Sequence, residues 1–231
     1  MAINPADFDF ISKIVREQCA IVLEKGKEYL VDSRLMPLVH QEKLESIENL
    51  VRKIKSDPRG SLKDAVIEAM TTNETSFFRD IHPFETLKKE ILPELIEKRK
   101  TKKELNIWCG ASSSGQEPYS LVMLLKNDFP QLNSWKLSFS ASDISNQMLN
   151  RCKSGIYSQL EINRGLPAPL MVKYFERIGT EWQVKEDLRK MIQFRIINLS
   201  EAWPMIPPVD LLMMRNVLIY FDVEMKKNIL G

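Results

Sequence analysis

Apolar positions in the first third of the chain recur at helical spacing. Phe10, Ile11, Ile14 and Val15, then Ile21 and Val22, follow an i, i+3, i+4 pattern, and so do Leu44, Ile47, Leu50, Val51 and Ile54. Asp57-Pro58-Arg59-Gly60 reads as a turn, with Ser61 as the N-cap of a helix that puts Leu62, Ala65, Val66, Ala69 and Met70 on one face. No strand pattern interrupts this stretch, so an all-helical N-terminal domain is predicted over residues 1–70.

After Phe84 the period changes. Pro83 opens a helix that turns Phe84, Leu87, Ile91 and Leu95 inward, and Pro93 is expected to kink or divide it. Residues 98–103 form a polar, basic linker. A short strand at 105–109 leads into Gly110-Ala111-Ser112-Ser113-Ser114-Gly115 and a helix over 117–126. Residues 136–142 alternate Leu137, Phe139 and Ala141 and end at Asp143, as a second strand would; 145–153 is again helical. Residues 209–214 are apolar on both faces, which predicts a third strand in the middle of a parallel sheet. Strand–helix alternation with short connections points to a doubly wound α/β sheet in a domain spanning 71–231. Between 155 and 198 the pattern differs. Trp182, Val184 and the run 192–197 look like short antiparallel strands, inserted as a small β-subdomain.

Bulk composition removes several function classes. Lys+Arg number 33 against Asp+Glu 31 in 231 residues, so net charge argues for neither nucleic acid nor a membrane surface. Cys19, Cys109 and Cys152 lie far apart with no CxxC pair, which excludes a disulfide framework or zinc knuckle and fits a reducing cytosol. His40 and His82 lack a metal-ligand partner at i+4, so no metal is expected. The first 15 residues carry Asp7 and Asp9 without a basic region, unlike a signal peptide, and no apolar run reaches the ~18 residues a membrane span needs. A soluble cytoplasmic protein is expected.

In a doubly wound sheet, ligands sit beyond the carboxyl ends of the strands. Three features fall there: the small-residue loop 110–115, Asp143, and Arg215-Asn216 after the third strand. Each has a plain structural reading as well, as a tight turn, a loop carboxylate and solvated polar groups. Only their order along one sheet suggests a site. The loop lacks the G-x-G-x-x-G spacing of a diphosphate cradle, and Glu117 at the start of the next helix would repel a diphosphate. A cationic ligand such as the amino group or sulfonium of S-adenosylmethionine fits better.

Thr71-Thr72-Asn73-Glu74-Thr75-Ser76-Phe77-Phe78-Arg79-Asp80, the stretch 108–120 ending Gly115-Gln116-Glu117-Pro118-Tyr119-Ser120, and Arg215-Asn216-Val217-Leu218-Ile219-Tyr220-Phe221-Asp222 resemble the three signature blocks of the CheR chemotaxis receptor methyltransferases. The resemblance covers nearly the whole chain. It implies a helical N-terminal substrate-recognition domain followed by a Rossmann-like methyltransferase sheet with a β-subdomain. It also implies methyl transfer from S-adenosylmethionine to glutamate side chains of a receptor's cytoplasmic helical bundle, with S-adenosylhomocysteine as product. By position, Asn73, Thr75, Arg79, Glu117, Asp143, Asn198, Leu199, Arg215 and Asn216 match cofactor contacts, and Arg79 and Tyr220 match the side chains near the transferred methyl. By spacing alone, Tyr220 in its apolar run reads as a core aromatic.

Two departures from the family pattern stand out. Gln116 replaces a frequent Glu, and the chain stops at Gly231, short of the family's last helix and strands. A receptor bundle rich in glutamate further implies a basic docking face, for which Arg52, Lys53, Lys55, Arg59 and Lys63, with Lys13, Arg16, Lys25, Lys27 and Arg34, are the candidates. Two other functions compete. A nucleic-acid or small-molecule methyltransferase is disfavoured because no [DN]-P-P-[YF] tetrad follows the third strand; a non-catalytic cofactor sensor is disfavoured because the cofactor positions are all retained.

Overall fold

The computed structural model describes residues 3–230; Met1, Ala2 and Gly231, at the outer ends of the two expected domains, lie outside the described residues. By its contacts the chain divides into two compact units. One comprises residues through 72 with 198–202 and the stretch from 216 on; the other comprises 73–197 with 203–215.

The first unit begins with α1 (Pro5–Cys19), α2 (Glu28–Gln41), α3 (Ile47–Ser56) and α4 (Ser61–Met70). Asn4 caps α1 by accepting from Asp7 N at 2.9 Å, and Pro5 sits where its missing N–H would have no intrahelical partner anyway. Phe8, Ile11, Val15, Val31, Leu35, Val39, Leu50, Val51, Ile54, Val66 and Met70 are buried, so the helical spacing in the sequence becomes one shared core. Leu44 lies between α2 and α3, outside both helices, and two further details differ from expectation. Ile21 and Val22 lie beyond α1, which ends where Ala20 takes φ 56° and returns its N–H to Arg16 O. Ser61 is the first residue inside α4, Gly60 holds the cap position, and no side chain caps that end.

The second unit opens with α5 (His82–Thr86), a π-helical turn (Leu87–Ile91) and α6 (Leu92–Arg99). The division expected at Pro93 is this π turn. Leu92 N bonds Leu87 O, and the wider turn accommodates a proline ring and its missing N–H. There follow β1 (Glu104–Gly110), α7 (Gln116–Asp128), β2 (Lys136–Asp143), α8 (Asn146–Ser154), β3 (Ile156–Ser158), α9 (Gln159–Asn163), α10 (Ala168–Tyr174), β4 (Phe175–Ile178), β5 (Glu181–Val184), α11 (Glu186–Arg189), β6 (Ile192–Ile196) and β7 (Leu211–Met213). The last helix, α12 (Val223–Leu230), belongs to the first unit.

Among the described residues the main sheet has four parallel strands in the order β6-β2-β1-β7, and β3-β5-β4 form a separate antiparallel sheet. Two sequence expectations are corrected here. The run 192–197 is no part of the antiparallel insertion: β6 pairs parallel with β2, Phe139 opposite Ile192 and Asp143 opposite Ile196. The strand expected over 209–214 is shorter, and it lies at the edge of the described sheet rather than in its centre, with Leu212 exposed between buried Leu211 and Met213. No described helix is long and apolar enough to cross a membrane.

The parallel pairing brings Gly110, Asp143, Ile196 and Met213 to one edge. Gly110 is opposite Ser142, and Cys109 opposite Met213. The chain leaves β1 for β2 on one side and returns to β7 on the other, so a crevice opens beyond β1 where the strand order reverses. Leu121, Val122, Met123 and Leu125 of α7 bury themselves against this sheet with Leu105, Ile107, Phe139 and Ala141.

Two glycines with positive φ in and near the antiparallel sheet differ in their surroundings. Gly179 (φ 60°) has open space where a Cβ would go, whereas a Cβ on Gly165 (φ 97°) would meet Phe77 O at 2.1 Å. Gly179→Ala is expected to cost about 1–2 kcal/mol from left-handed backbone alone. Gly165→Ala should cost a further ~1–3 kcal/mol from the forced shift. Urea denaturation measures both; equal losses would show that residue 165 does not press on Phe77.

Candidate active site

The crevice is built first from the loop between β1 and α7. Ala111 (φ 53°), Ser113 (φ 48°) and Gly115 (φ 98°) are left-handed, which turns the chain sharply enough to start α7 at Gln116. Such a conformation persists only where surrounding contacts hold it. Ser112 N donates to Ser142 O at 2.9 Å, and Ser113 N donates to Asp143 Oδ2 at 2.7 Å. The other oxygen of Asp143 accepts from Ser145 N at 2.9 Å, at the N-cap of α8. Asp143 is therefore buried and already organises two connections.

Over the loop lies the stretch 73–80. Ser113 Oγ donates to Asn73 O at 2.9 Å, and Phe78 N donates to Ser120 Oγ at 2.9 Å, whose own proton goes to Gln116 O. Gln116 is buried and its Oε1 accepts from Ser114 Oγ at 2.8 Å, so the amide does structural duty where the family often has Glu. Thr75 is half-buried on the same stretch. Phe78 and Asp80 have φ 48° and 58°, which folds the segment back on itself and turns Arg79 so that it donates to Glu74 O at 2.7 Å.

Arg215, two residues past β7, joins these parts. Its guanidinium donates to Glu117 Oε2 at 3.0 Å, to Asp80 Oδ2 at 2.9 Å and to Arg79 O at 2.9 Å, and lies over the Phe84 ring at 5.6 Å. Burial pushes the Glu117 carboxyl up from its ordinary value, and Arg215, with Arg79 at longer range, opposes that rise. The crevice thus presents a paired carboxylate at the start of α7 and another at the end of β2, with small residues between them. A Cβ on Gly110 would come within 3.1 Å of Met214 Cε, so glycine there lets the Met214 side chain pack close against the end of β1. This lining suits a ligand with a cationic centre and hydroxyls, and lacks a cradle for a diphosphate.

Asn73, Thr75, Arg79, Glu117, Asp143 and Arg215 all belong to the second unit; Ser113 links Asn73 to Asp143, Arg215 links Glu117 to the Arg79 backbone, and Thr75 lies on the stretch between Asn73 and Arg79. Asn198, Leu199, Asn216 and Tyr220 belong to segments of the first unit. Asn198 Nδ2 donates to Gln18 O and to Glu201, and its Oδ1 accepts from Ser200. Leu199 is buried, and Asn216 has φ 56°. Tyr220 is half-buried, not core, and its carbonyl accepts from Val22 N at 3.1 Å.

The expected docking cations are largely occupied. Arg52 pairs with Glu48, Lys53 with Glu42, Lys55 with Asp7, Arg16 with Asp222, Lys13 with Glu17 and Lys27 with Glu24. Arg34 is a structural tie, donating to Met70 O and Thr72 Oγ1. Lys25, Arg59 and Lys63, like Arg34, make no ion pair among the described residues. Sequence reasoning singled out neither Asp80 nor Ser120, which hold Arg215 and Phe78 N. Both lie inside motifs quoted above.

Comparison with known proteins agrees with this geometry. The SAM-binding domain of CheR methyltransferases matches residues 73–231, and the all-alpha domain of the same family matches 6–71. The chain is 42% identical to chemotaxis protein methyltransferase 1 of Pseudomonas aeruginosa and 40% identical to chemotaxis protein methyltransferase Cher2 of Pseudomonas putida, in each case over all of this chain and 85% of the relative. It is 34% identical to the chemotaxis protein methyltransferase of Borreliella burgdorferi, over 94% of this chain and 78% of the relative. With a helical domain followed by this crevice, and with the two family domains matched over residues 6–71 and 73–231, the chain belongs to the CheR methyltransferases, enzymes whose methyl donor is S-adenosylmethionine.

Proposed function

We propose that the chain methylates glutamate side chains in the cytoplasmic helical bundle of methyl-accepting chemotaxis receptors, giving glutamyl methyl esters and S-adenosylhomocysteine, and that it works in the cytoplasm. The observation that carries this reading is the chemistry of the crevice. Among the described residues its charged side chains include Arg79, Arg215, Asp80, Glu117 and Asp143. A glutamate acceptor, reference pKa ~4.3, is already an anion at neutral pH and needs no general base.

Bound S-adenosylmethionine supplies a methyl group activated by its sulfonium. The chain's own part is orientation, which can lower a barrier by up to roughly 7–11 kcal/mol. In this reading Asp143 accepts the ribose hydroxyls. Glu117 balances the ligand's positive charge while Arg215 keeps Glu117 in place. Asn73, Thr75 and Asn216 contact the cofactor, and Asn198 and Leu199 flank the adenine. Arg79 and Tyr220 donate hydrogen bonds to the acceptor carboxylate. The helical domain reads the receptor, with Lys25, Arg59 and Lys63 as its unpaired cations.

Radiolabelled methyl from S-adenosylmethionine should appear on a receptor cytoplasmic fragment and be released by alkali as methanol. Alkali-stable label would mean methylation of nitrogen and overturn the ester. Tyr220→Phe is expected to lower kcat at least tenfold with S-adenosylhomocysteine affinity kept, whereas Arg79→Ala should lower both; a fully active Tyr220→Phe would remove Tyr220 from the mechanism.

A pH effect follows from Glu117. Because burial raises its pKa, it gains a proton at a higher pH than an ordinary carboxylate as the solution is acidified. Neutralising it removes the charge that balances the ligand. Affinity for S-adenosylmethionine is therefore expected to fall on mild acidification, before ordinary carboxylates titrate, and Glu117→Gln should flatten that dependence. Calorimetry across pH checks it; the same slope in both proteins would take Glu117 out of the site.

A further inference from the structure

Two carbonyls of the methyl-donor loop are buried, and buried carbonyls need donors. Neither Ser113 O nor Ser114 O finds one in its own strand or helix. Cys152 Sγ on α8 donates to Ser113 O at 3.0 Å, and Tyr157 Oη on β3 donates to Ser114 O at 2.7 Å. The loop packs directly on both. At Gly115 a Cβ would stand 2.9 Å from Cys152 Sγ and 3.0 Å from Tyr157 Oη, so no larger residue fits.

We infer that Tyr157, seconded by Cys152, is a positioning residue of the methyl-donor site, through which the antiparallel subdomain holds loop 113–115 in its ligand-ready shape. Tyr157 is fully buried, and its ring meets Phe77 edge-on at 5.0 Å and Phe175 of β4 at 6.4 Å. Phe77 meets Phe175 at 5.6 Å. One aromatic cluster therefore joins both outer strands of the small sheet to the stretch 73–80, and its Tyr157 hydroxyl reaches into the loop. Burial keeps the phenol far above its ordinary pKa and pushes the thiol up to about 12, so both remain proton donors at any physiological pH. The loop's left-handed residues make this hold consequential. Without it, Ser114 O is a buried orphan, and the loop relaxes away from the conformation that binds. A ligand then has to restore that conformation at the expense of its own affinity.

Tyr157→Phe keeps the ring and removes only the hydroxyl. Its affinity for S-adenosylhomocysteine by calorimetry is expected to fall about tenfold. Tyr119→Phe is the control. It removes an equally buried hydroxyl that donates at 2.6 Å to Cys152 O, on α8 and not on the loop. It should lower Tm by a similar amount yet keep affinity within about twofold. Wild-type affinity in Tyr157→Phe, or the same fractional loss in both variants, would overturn the inference. Should Tyr157→Phe not fold, Cys152→Ser, which keeps a donor, is expected to bind better than Cys152→Val, and equal affinities would overturn it. Product binding needs no receptor, so the outcome stands apart from the choice of methyl acceptor.

Discussion

The larger unit depends on one carboxylate. A parallel sheet must send its chain from buried strand to buried helix in a few residues, and here that turn needs left-handed backbone at Ala111, Ser113 and Gly115. Two of these are not glycine, at roughly 1–2 kcal/mol each. Asp143 makes the turn hold. Lying one residue beyond the Gly110–Ser142 register pair, it receives Ser113 N from the first crossover and Ser145 N from the second. Two strand-to-helix connections are anchored on the same side chain, and the crevice between them inherits its shape.

Arg215 does for charge what Asp143 does for backbone. A carboxylate buried at the start of α7 would be costly alone. The guanidinium beside Glu117 compensates it while also holding Asp80 and the Arg79 carbonyl. The stretch 73–80 is thereby fastened to the floor of the crevice at its far end. At its near end it is fastened by Ser113 to Asn73. A segment of irregular backbone becomes as well placed as a strand, as a site that depends on orientation requires.

Much of this was legible in the residues. Periodicity located the N-terminal helices, the strands β1 and β2 and the helices that follow them, because apolar spacing of 3.6 or 2 is a local signal. The small-residue loop, Asp143 and the motif blocks pointed to the crevice, since strand ends in such sheets are where ligands lie. The direction of β6 was not legible. Parallel and antiparallel strands share the same two-residue alternation, and only the partner distinguishes them. The position of β7 at the described edge escaped for the same reason, as did the role of Arg34, whose partners Met70 and Thr72 lie 36 and 38 residues away.

What the sequence determined by itself was therefore which segments are helix or strand, which turns need small residues, and in what order the chemistry-bearing groups occur. Only the tertiary structure decided which of those groups meet. Arg215 reaches Glu117 across 98 residues and Tyr157 reaches Ser114 across 43. The reason is physical: local periodicity follows from backbone geometry within a turn or a pleat, whereas these contacts follow from strand order and from the need of each buried donor, acceptor and charge for a partner, wherever along the chain that partner lies.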